Sequence, residues 1–232
     1  MKAWNLFYKQ FITYGGYRSV LDGLLVTVEI AVFGLLIGVV IGTLIAVVKV
    51  MPKNKLIIKI LEKICDCYVA FFRGTPMVVQ LLLGYFVLMP AIGVSLDGIV
   101  VAIIIFGLNS GAYVSEIMRA GIQSVDQGQL EAGRAVGLPY SAAMMKIVIP
   151  QSIKNILPTL GNEFIVLIKE TSVVSFIAVV DLTKAFRAIG DANYEYIIPY
   201  VMLALVYLVL VVGITFGIKV MERRLKRNER SA

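Results

Sequence analysis

The sequence predicts an all-α integral membrane protein with about five transmembrane helices. Hydrophobic residues make up 59% of the 232 residues, more than a soluble domain of this size uses to fill its core. Several stretches contain the ~20 mainly apolar residues that cross a bilayer. Backbone groups in lipid must hydrogen-bond within their own segment, which favours helices. No stretch is left for a soluble domain, so we expect residues 1–232 to form a single transmembrane domain.

Five apolar segments, separated by polar or basic stretches, define the expected spans. The amphipathic segment before them, about residues 1–20, lacks the compact apolar run and the small-residue cleavage site of a secretory signal, and we expect it to be retained. The spans lie near Leu21 to Val48, Pro76 to Ala91, Gly98 to Met118, Ser152 to Val180 and Tyr196 to Ile218.

The distribution of Lys and Arg predicts an external N-terminus and a cytosolic C-terminus. The segments on one side of the expected spans carry sixteen basic residues and those on the other side carry five. Basic residues concentrate on the cytosolic side of membrane proteins. The richer side comprises residues 49–73, 119–154 and 219–230. This asymmetry also accounts for the net charge of +7, because basic residues lie against the anionic cytosolic leaflet, and no nucleic-acid partner is needed to explain it.

Composition excludes several kinds of active site. The sequence contains no histidine, which excludes a Ser-His-Asp triad and a histidine-ligated zinc site. Cys65 and Cys67 fall in an expected cytosolic segment without further metal ligands beside them, so we interpret them as reduced structural thiols. No set of nucleophile, base and oxyanion donors emerges, and the sequence does not predict an enzyme.

The first span carries Gly34, Gly38 and Gly42 at four-residue spacing. Small residues on one helical face let a neighbouring helix approach closely, so this pattern predicts helix packing rather than substrate contact. Glu29 in the same span has two open placements, the protein interior or the outer headgroup region, and periodicity does not choose between them.

Residues 55–72 alternate charged and apolar side chains with helical periodicity, which predicts an amphipathic helix on the cytosolic membrane face. The segment FFRGTPMVVQ ends it. There Gly74 and Pro76 interrupt helical geometry where an apolar run begins. Non-helical backbone near a membrane is tolerated where it is buried in protein or lines a cavity. We therefore expect the break at Gly74 and Pro76 to be either buried in the protein or exposed to a cavity.

Asn109, Tyr113 and Glu116 occupy positions i, i+4 and i+7 of the third span, which places them on one helical face. Polar side chains avoid lipid, so this stripe is expected to point inward. Two roles stay open for it: hydrogen bonds between helices, and the lining of a cavity.

The longest expected cytosolic segment, about residues 119–154, exceeds a plain connection. A short helix from Leu130 to Val136 is predicted within it, ended by Gly137 with Pro139 just beyond. A surface helix held between two spans is suited to insertion into a groove of a partner protein.

The fourth span contains three charged residues, Glu163, Lys169 and Glu170. Glu163 and Glu170 are seven residues apart and therefore lie about 10 Å apart along one helical face. An ionised carboxylate at mid-bilayer costs ~2.5–3.5 kcal/mol on insertion scales unless it finds water or a partner. We interpret Lys169 and Glu170 as an ion pair or a hydrogen-bonded pair, whereas Glu163 has no cation one turn away in the sequence.

Four segments resemble one known family. Glu131, Ala132 and Gly133, followed by Gly137 and then by an apolar run to Pro150, resemble the EAA loop of the membrane subunits of ABC importers. The loop departs mildly from the family pattern, with glycine for its second alanine and isoleucine for the leucine before its proline. FFRGTPMVVQ, AYVSEIMRAGI and GNEFIVLIKETS resemble the polar amino acid permeases of that superfamily.

The resemblance covers about residues 20–220 and implies the fold of a type I ABC importer permease for polar amino acids. It implies as partners two ATP-binding subunits, a second permease that is identical or closely related, and an external solute-binding protein. It also implies a prokaryotic cytoplasmic membrane. The sequence has no G-x-x-x-x-G-K-[ST] phosphate loop, so ATP and Mg²⁺ are expected in the partner ATPase and no cofactor is expected in this chain.

By the same resemblance, the helix from Glu131 to Gly137 is the coupling helix, which docks in a cleft of the ATPase. Glu131 and Arg134 offer charged contacts, Gly137 permits a tight turn, and Ala132 and Pro150 belong to the family motif. Closure of two ATPases on ATP would move two such helices together and turn an inward-facing cavity outward.

An acid at Glu163, where the family usually has an uncharged polar residue, suggests a cationic substrate. Its carboxylate could accept two parallel hydrogen bonds from a guanidinium, so arginine, lysine, ornithine and histidine are the expected substrates. For the carboxylate of the amino acid we consider Arg73 and the irregular backbone that leads to Met77. The remaining expected site residues are Asn162, Asn109 and Tyr113, the last two for the amino group or for shape.

Other roles stay open. Glu163 could hydrogen-bond across helices or pair with Arg73 instead of contacting substrate. The alternative function is an ion-coupled secondary transporter that uses Glu29, Glu116 or Glu163, although the small number of spans and the long cytosolic segment speak against it. A non-transporting scaffold would leave the polar stripe without a purpose. The preferred amino acid and the identity of the second permease do not follow from the sequence.

Overall fold

The computed structural model describes residues 2–52, 55–192 and 194–229, and within them the side chains of residues 4–225. Two basic residues counted in the charge asymmetry, Lys53 and Arg230, lie outside the described residues. The chain folds into α-helices joined by short turns, as predicted. The helices are α1 (Lys2–Tyr8), α2 (Gly16–Val50), α3 (Leu56–Gly74), α4 (Met77–Leu82), α5 (Met89–Ala91), α6 (Gly98–Gln123), α7 (Gln127–Ala135), α8 (Tyr140–Ala143), α9 (Ile149–Glu170), α10 (Leu182–Asp191) and α11 (Ile197–Glu229).

Several of these helices are continued by turns of other helical types. π-helical turns lie at Lys9–Thr13, Leu83–Leu88 and Met144–Val148, and a 3₁₀ helix lies at Thr171–Ile177. The π-helical turns join α4 to α5 and α8 to α9 without an intervening loop. The chain between residues 77 and 91 is therefore helical throughout, and so is the chain between residues 140 and 177.

Among the described residues, α2, α6 and α11 are long and apolar enough to cross a membrane, and α3 with Met77–Ala91 forms a fourth candidate as a bent pair. These correspond to four of the five expected spans. The remaining expected span, α9, does not meet the same criterion of length and composition, because polar and charged side chains interrupt it. It is nevertheless packed against α2, α6 and α11, which places it inside the bundle.

The expected span from Ser152 to Val180 is helical as far as Ile177, but the type of helix changes within it. The α-helix ends at Glu170 and tightens into the 3₁₀ helix Thr171–Ile177. At the junction the Thr171 hydroxyl donates to the Ile168 carbonyl at 2.7 Å. Hydroxyl side chains that bond to nearby carbonyls compete with the α-helical ladder, and the run of Thr and Ser at this point provides several.

The expected second span, Pro76 to Ala91, is only the second half of a broken helix. Thr75 and Pro76 have extended backbone, because proline lacks an N–H and disfavours helical geometry in the residue before it. The helices on either side meet at 107°. The break therefore lies where Gly74 and Pro76 predict it, and α3 supplies the first half.

α3 is amphipathic, as predicted, with one face on the protein. Tyr68, Val69 and Phe72 pack against α2 and α6, and the Tyr68 hydroxyl donates to the Leu108 carbonyl. Cys65 is half-buried in the same contact. The opposite apolar face is exposed, as a lipid-facing surface would be, and consists of Leu56, Ile57, Ile60, Leu61 and Ile64.

α2 and α6 pack against each other along most of their length through small residues on both helices. A Cβ at Gly42 would stand 2.8 Å from the Ser115 backbone nitrogen, and one at Gly107 would stand 2.5 Å from Ile37 Cγ2. Such close approach requires that the side chain be absent, so the predicted packing role of the glycines is confirmed. The other glycines of this contact are Gly34, Gly38 and Gly111.

The main core lies where α2, α4, α6, α9 and the 3₁₀ helix converge. Ile30, Leu81, Phe106, Ile168 and Val174 are fully buried there. Lipid tails are as apolar as these side chains, so the core stabilises the fold mainly through close van der Waals packing between the helices. The core fixes α9 against α6 and thereby positions the polar residues of both helices.

A second core joins the N-terminal segment to α10. Phe7 is buried, its ring stacks on Phe11, and Phe11 stacks in turn on Phe186 of α10. Asp181 caps the N-terminal end of α10: its buried carboxylate accepts hydrogen bonds from two backbone N–H groups of the first turn, a common way to start a helix. The amphipathic segment of about residues 1–20 is thus docked on the protein.

Gly42→Ala is expected to lower the free energy of unfolding by ~1–3 kcal/mol, the usual cost of overpacking, because the new Cβ would press on α6. Gly213→Ala is the matched control, since a Cβ at that position of α11 meets nothing within 4 Å. Thermal unfolding in detergent should show a lower midpoint for Gly42→Ala alone. Equal midpoints for the two variants would contradict the close contact between α2 and α6.

Candidate functional site

A polar cavity of about 440 Å³ opens between α3, α6 and α9. Arg73 enters it from the last turn of α3, Tyr113 and Glu116 from α6, and Asn155 and Thr159 from α9. The cavity therefore combines both signs of charge, an aromatic ring and neutral polar groups, which suits a small zwitterion. Its other lining residues are Ile117, Ala120, Gly121 and Ser124.

Arg73 and Tyr113, both expected at the site, lie together at this cavity. The guanidinium lies over the Tyr113 ring, 5.4 Å from its centroid, which is a cation–π arrangement. Both side chains are exposed, so each can contact a ligand. The expected alternative pairing of Arg73 with Glu163 is not formed.

Glu116 is held by two cations. Lys49 Nζ lies 2.9 Å from Glu116 Oε1 and 2.9 Å from Asp66 Oδ1, and Arg119 Nη2 lies 2.7 Å from Glu116 Oε2. The Lys49 side chain is only 9% exposed. Removal of one partner from such a pair leaves a poorly solvated charge and is strongly destabilising, so we assign these residues to the connection between α2, α3 and α6.

Asn109 supports the break between α3 and α4. Its amide donates to Gln80 Oε1 at 2.8 Å, and the Gln80 amide donates to the carbonyls of Phe72 and Thr75 at 2.8 and 2.9 Å. These carbonyls belong to the end of α3, where a helix cannot satisfy them itself. We call Gln80 and Asn109 the amide clamp.

The amide clamp decides between the two roles left open for the polar stripe of α6. Asn109 is buried and bonds between helices, whereas Tyr113 and Glu116 line the cavity. Sequence reasoning missed Gln80. The available signal was a lone polar residue in an apolar run, one turn after a predicted helix break.

Glu163 is buried between α9 and α6, with 8% of its surface exposed. The Ser110 hydroxyl donates to Glu163 Oε1 at 3.3 Å, and no described cation forms an ion pair with Glu163. A carboxylate can accept about four hydrogen bonds, so one neutral donor leaves much of this capacity unused. Glu163 does not line the polar cavity, but it lies one helical turn beyond Thr159, which does.

The remaining expected substrate residues lie in two different places. Asn162 is exposed beside Glu163, whereas Met77 is buried in the main core at the start of α4. The expected pair of Lys169 and Glu170 forms no ion pair; Lys169 is exposed and Glu170 is half-buried.

An exposed stripe runs along one face of α9. Its residues follow at alternating spacings of four and three, which keeps them on one face of a helix. Most of them are polar, although the helix lies within a predominantly apolar protein. Sequence reasoning did not single out this stripe, which consists of Asn155, Thr159, Asn162, Val166 and Lys169.

The segment between α6 and α9 presents the EAA-like residues on its surface. Glu131, Ala132 and Arg134 of α7 are exposed, as is Pro150 at the start of α9. α7 ends at Ala135, and Gly137 just beyond it has a φ of 91°, a conformation that favours glycine. The exposed face is therefore available to a partner. Val136 beside it is 80% exposed and was not anticipated.

Gly133, where the family pattern has alanine, lies in a close contact. It is the buried residue of α7, and a Cβ there would stand 2.7 Å from Ile147 Cδ1. α7 therefore packs closely on the π-helical turn Met144–Val148.

The three acids considered for ion-coupled transport lie in separate surroundings. Glu29 is exposed on α2, Glu116 is paired with two cations, and Glu163 is buried beside Ser110. They do not converge on one ion site, and the secondary-transporter alternative is not favoured.

Comparison with known proteins identifies relatives of the whole chain. Residues 34–227 match the family described as "Binding-protein-dependent transport system inner membrane component". The chain is 40% identical over 210 residues to the arginine transport system permease protein ArtQ of Bacillus subtilis (strain 168), covering 90% of this chain and 94% of that protein. It is 40% identical over 206 residues to the putative glutamine transport system permease protein GlnP of Rickettsia bellii (strain RML369-C), covering 89% and 92%.

A solved structure is also similar to this chain. The fold is similar to a chain in the crystal structure of an amino acid ABC transporter with histidines, with a TM-score of 0.85 and 37% sequence identity. The match covers 94% of this chain and 98% of that chain.

Asn109→Ala is expected to lower the free energy of unfolding by ~1–3 kcal/mol, because it leaves the buried Gln80 carbonyl without its donor. Asn162→Ala is the matched control, since the same amide is removed from an exposed position on α9. Thermal midpoints of the purified variants in detergent check the difference. If Asn162→Ala lowered the midpoint as much as Asn109→Ala, the amide clamp would not support the helix break.

Proposed function

Because the chain belongs to the inner membrane components of binding-protein-dependent transport systems, we propose that it imports cationic amino acids at the expense of ATP hydrolysed by a partner. The chain is a permease subunit of an amino acid ABC transporter in the inner membrane. The preference for a cationic substrate is supported by the surroundings of Glu163. Its carboxylate is buried and accepts a hydrogen bond from one neutral donor. The relatives named for arginine and glutamine agree with a polar amino acid and leave its charge open.

Glu163 receives the cationic end of the substrate. A carboxylate taken out of water is costly unless a partner compensates the charge. A guanidinium or ammonium group supplies that partner through charge-assisted hydrogen bonds, which are shorter and stronger than neutral ones. Ser110 holds one carboxylate oxygen and leaves the other side of the group for the ligand.

The polar cavity receives the α-carboxylate and the amino group. Arg73, exposed at the end of α3, offers its guanidinium to the carboxylate, and planar guanidinium groups bind carboxylates with two parallel bonds. Thr159 and Asn162, on the exposed stripe of α9, offer oxygens to the ammonium group. Glu116 stays with Lys49 and Arg119.

The partners follow from the family and from the exposed surfaces. We propose that the exposed face of α7, with Glu131 and Arg134 at its centre, docks on an ATPase that binds ATP and Mg²⁺. A second permease, identical or closely related, faces the exposed stripe of α9. An external solute-binding protein delivers the amino acid. Closure of two ATPases then displaces the helices that line the path.

Glu163→Gln is expected to lower ATP-driven uptake of arginine about tenfold or more and to spare its uncharged isostere citrulline, because a charge-assisted bond worth ~1.5–3 kcal/mol is lost. The assay uses vesicles that hold the permease with its ATPase and one binding protein throughout. Glu170→Gln, a half-buried acid on the same helix, is the matched control.

The outcome of this assay separates two claims. An unchanged ratio of arginine to citrulline uptake in Glu163→Gln would refute charge recognition by Glu163. If uptake by the unmodified permease depended on an ion gradient and not on ATP, the proposed ATP-driven import would be refuted.

Glu131→Ala is expected to reduce uptake and substrate-stimulated ATP hydrolysis about tenfold or more, because a charged hydrogen bond to a partner contributes ~1.5–3 kcal/mol. Gln129→Ala alters an exposed residue of the same helix and serves as the control. Both activities are measured in the assembled complex. Equal activity of the two variants would exclude Glu131 from the ATPase contact.

A further inference from the structure

Tyr140 joins the segment that contains α7 to the first long helix. Its hydroxyl donates to the Val50 carbonyl at 3.2 Å, between residues 90 positions apart in the sequence. Val50 is the last residue of α2, where helix carbonyls have no partner within the helix. Tyr140 therefore caps the C-terminal end of α2 from the segment between α6 and α9, residues 124–148, which we call the coupling segment.

The hydrogen bond lies at the wall of an apolar cavity of about 330 Å³. Met51, Ile122 and Met144 form part of that wall. Tyr140 and Val50 are both half-buried, and the cavity wall around the bond is apolar. Water can solvate the Val50 carbonyl when the hydroxyl is lost, so the bond fixes the relative position of the two groups more than it stabilises the fold.

Tyr140 is tightly connected to α7. Gly133 of α7 packs on Ala143 and Ile147, which lie in the same helical segment as Tyr140. The Leu138 N–H bonds to the Gly133 carbonyl at 3.2 Å, and Tyr140 follows two residues later. A displacement of α7 is therefore expected to carry Tyr140 with it.

α2 extends from this contact to α10 at the opposite end of the protein. Its 35 residues span about 50 Å at 1.5 Å per residue. Near its other end, Thr27 Oγ1 accepts a hydrogen bond from the Leu182 N–H at 3.2 Å, and a Cβ on Gly23 would stand 2.6 Å from the Asp181 carbonyl oxygen. α2 is thus fixed to α10 at one end and to Tyr140 at the other.

We propose that Tyr140 is a positioning residue that transmits displacement of the coupling segment to α2 and, through α2, to α10. The inference rests on the ATP-driven transport proposed above. With the hydroxyl in place, α7 and the end of α2 move together. Without the hydroxyl, a displacement of α7 produces a smaller displacement of α2, and fewer amino acids are transported for each ATP hydrolysed.

Tyr140→Phe removes the hydroxyl and keeps the ring. The number of amino acids transported per ATP hydrolysed should fall about threefold or more, as expected for the loss of one neutral hydrogen bond, while the thermal midpoint stays near that of the unmodified protein. Ser141→Ala removes a hydroxyl from the wall of the same cavity and should keep the original ratio. An unchanged ratio in Tyr140→Phe would overturn the proposal.

A distance measurement tests the mechanical step without transport. Spin labels are placed at Leu44→Cys on α2 and Gln129→Cys on α7, both exposed, after Cys65 and Cys67 are replaced by serine. The distance distribution with and without ATP should stay narrow when Tyr140 is present and should broaden or shift in Tyr140→Phe. Identical distributions would overturn the proposal. Absence of ATP-driven uptake in the unmodified complex would instead overturn the proposed function.

Discussion

The close contact between α2 and α6 is the constraint on which the rest of the structure depends. Glycines on both helices bring the backbones together, which places Lys49 of α2 against Glu116. The same contact aligns α6 so that Ser110 meets Glu163 of α9 and Tyr113 meets Arg73. Without this contact the charged residues would lack their partners within an otherwise apolar protein.

The acids Glu116 and Glu163 differ in how their negative charge is compensated. Glu116 is neutralised by Lys49 and Arg119, which fits a permanent connection between helices. Glu163 is buried more deeply and receives a single neutral hydrogen bond. Buried charge without a fixed partner is expensive, and proteins retain such groups where a ligand supplies the missing partner. This contrast is the physical basis for placing substrate recognition at Glu163.

Much of the fold could be predicted from the sequence because its signals are local. Apolar length predicted the long helices, Gly74 and Pro76 predicted the break, and the glycine spacing predicted the contact of α2. The end of α9 at Glu170 was not predicted, since hydropathy does not distinguish an α-helix from a 3₁₀ helix in an apolar run.

The candidate site was predictable only in part. Arg73, Tyr113 and Glu163 were singled out because charge and polarity are conspicuous in apolar segments. Gln80 carried a local signal, but its bond to Asn109, 29 positions away, did not follow from that signal. The role of Ser110 could not be foreseen, because it depends on a contact with Glu163, 53 positions away, whose geometry the sequence does not specify. Met77 was assigned from its place in a motif, but its side chain packs in the core.

The most direct test of recognition inside the membrane is equilibrium binding of labelled arginine to the complex of permease and ATPase in nanodiscs, with no solute-binding protein present. The account predicts saturable binding that lysine displaces and citrulline does not. A complex that imports arginine yet shows no saturable binding, or binding that citrulline displaces equally, would contradict it and assign selectivity to the external protein.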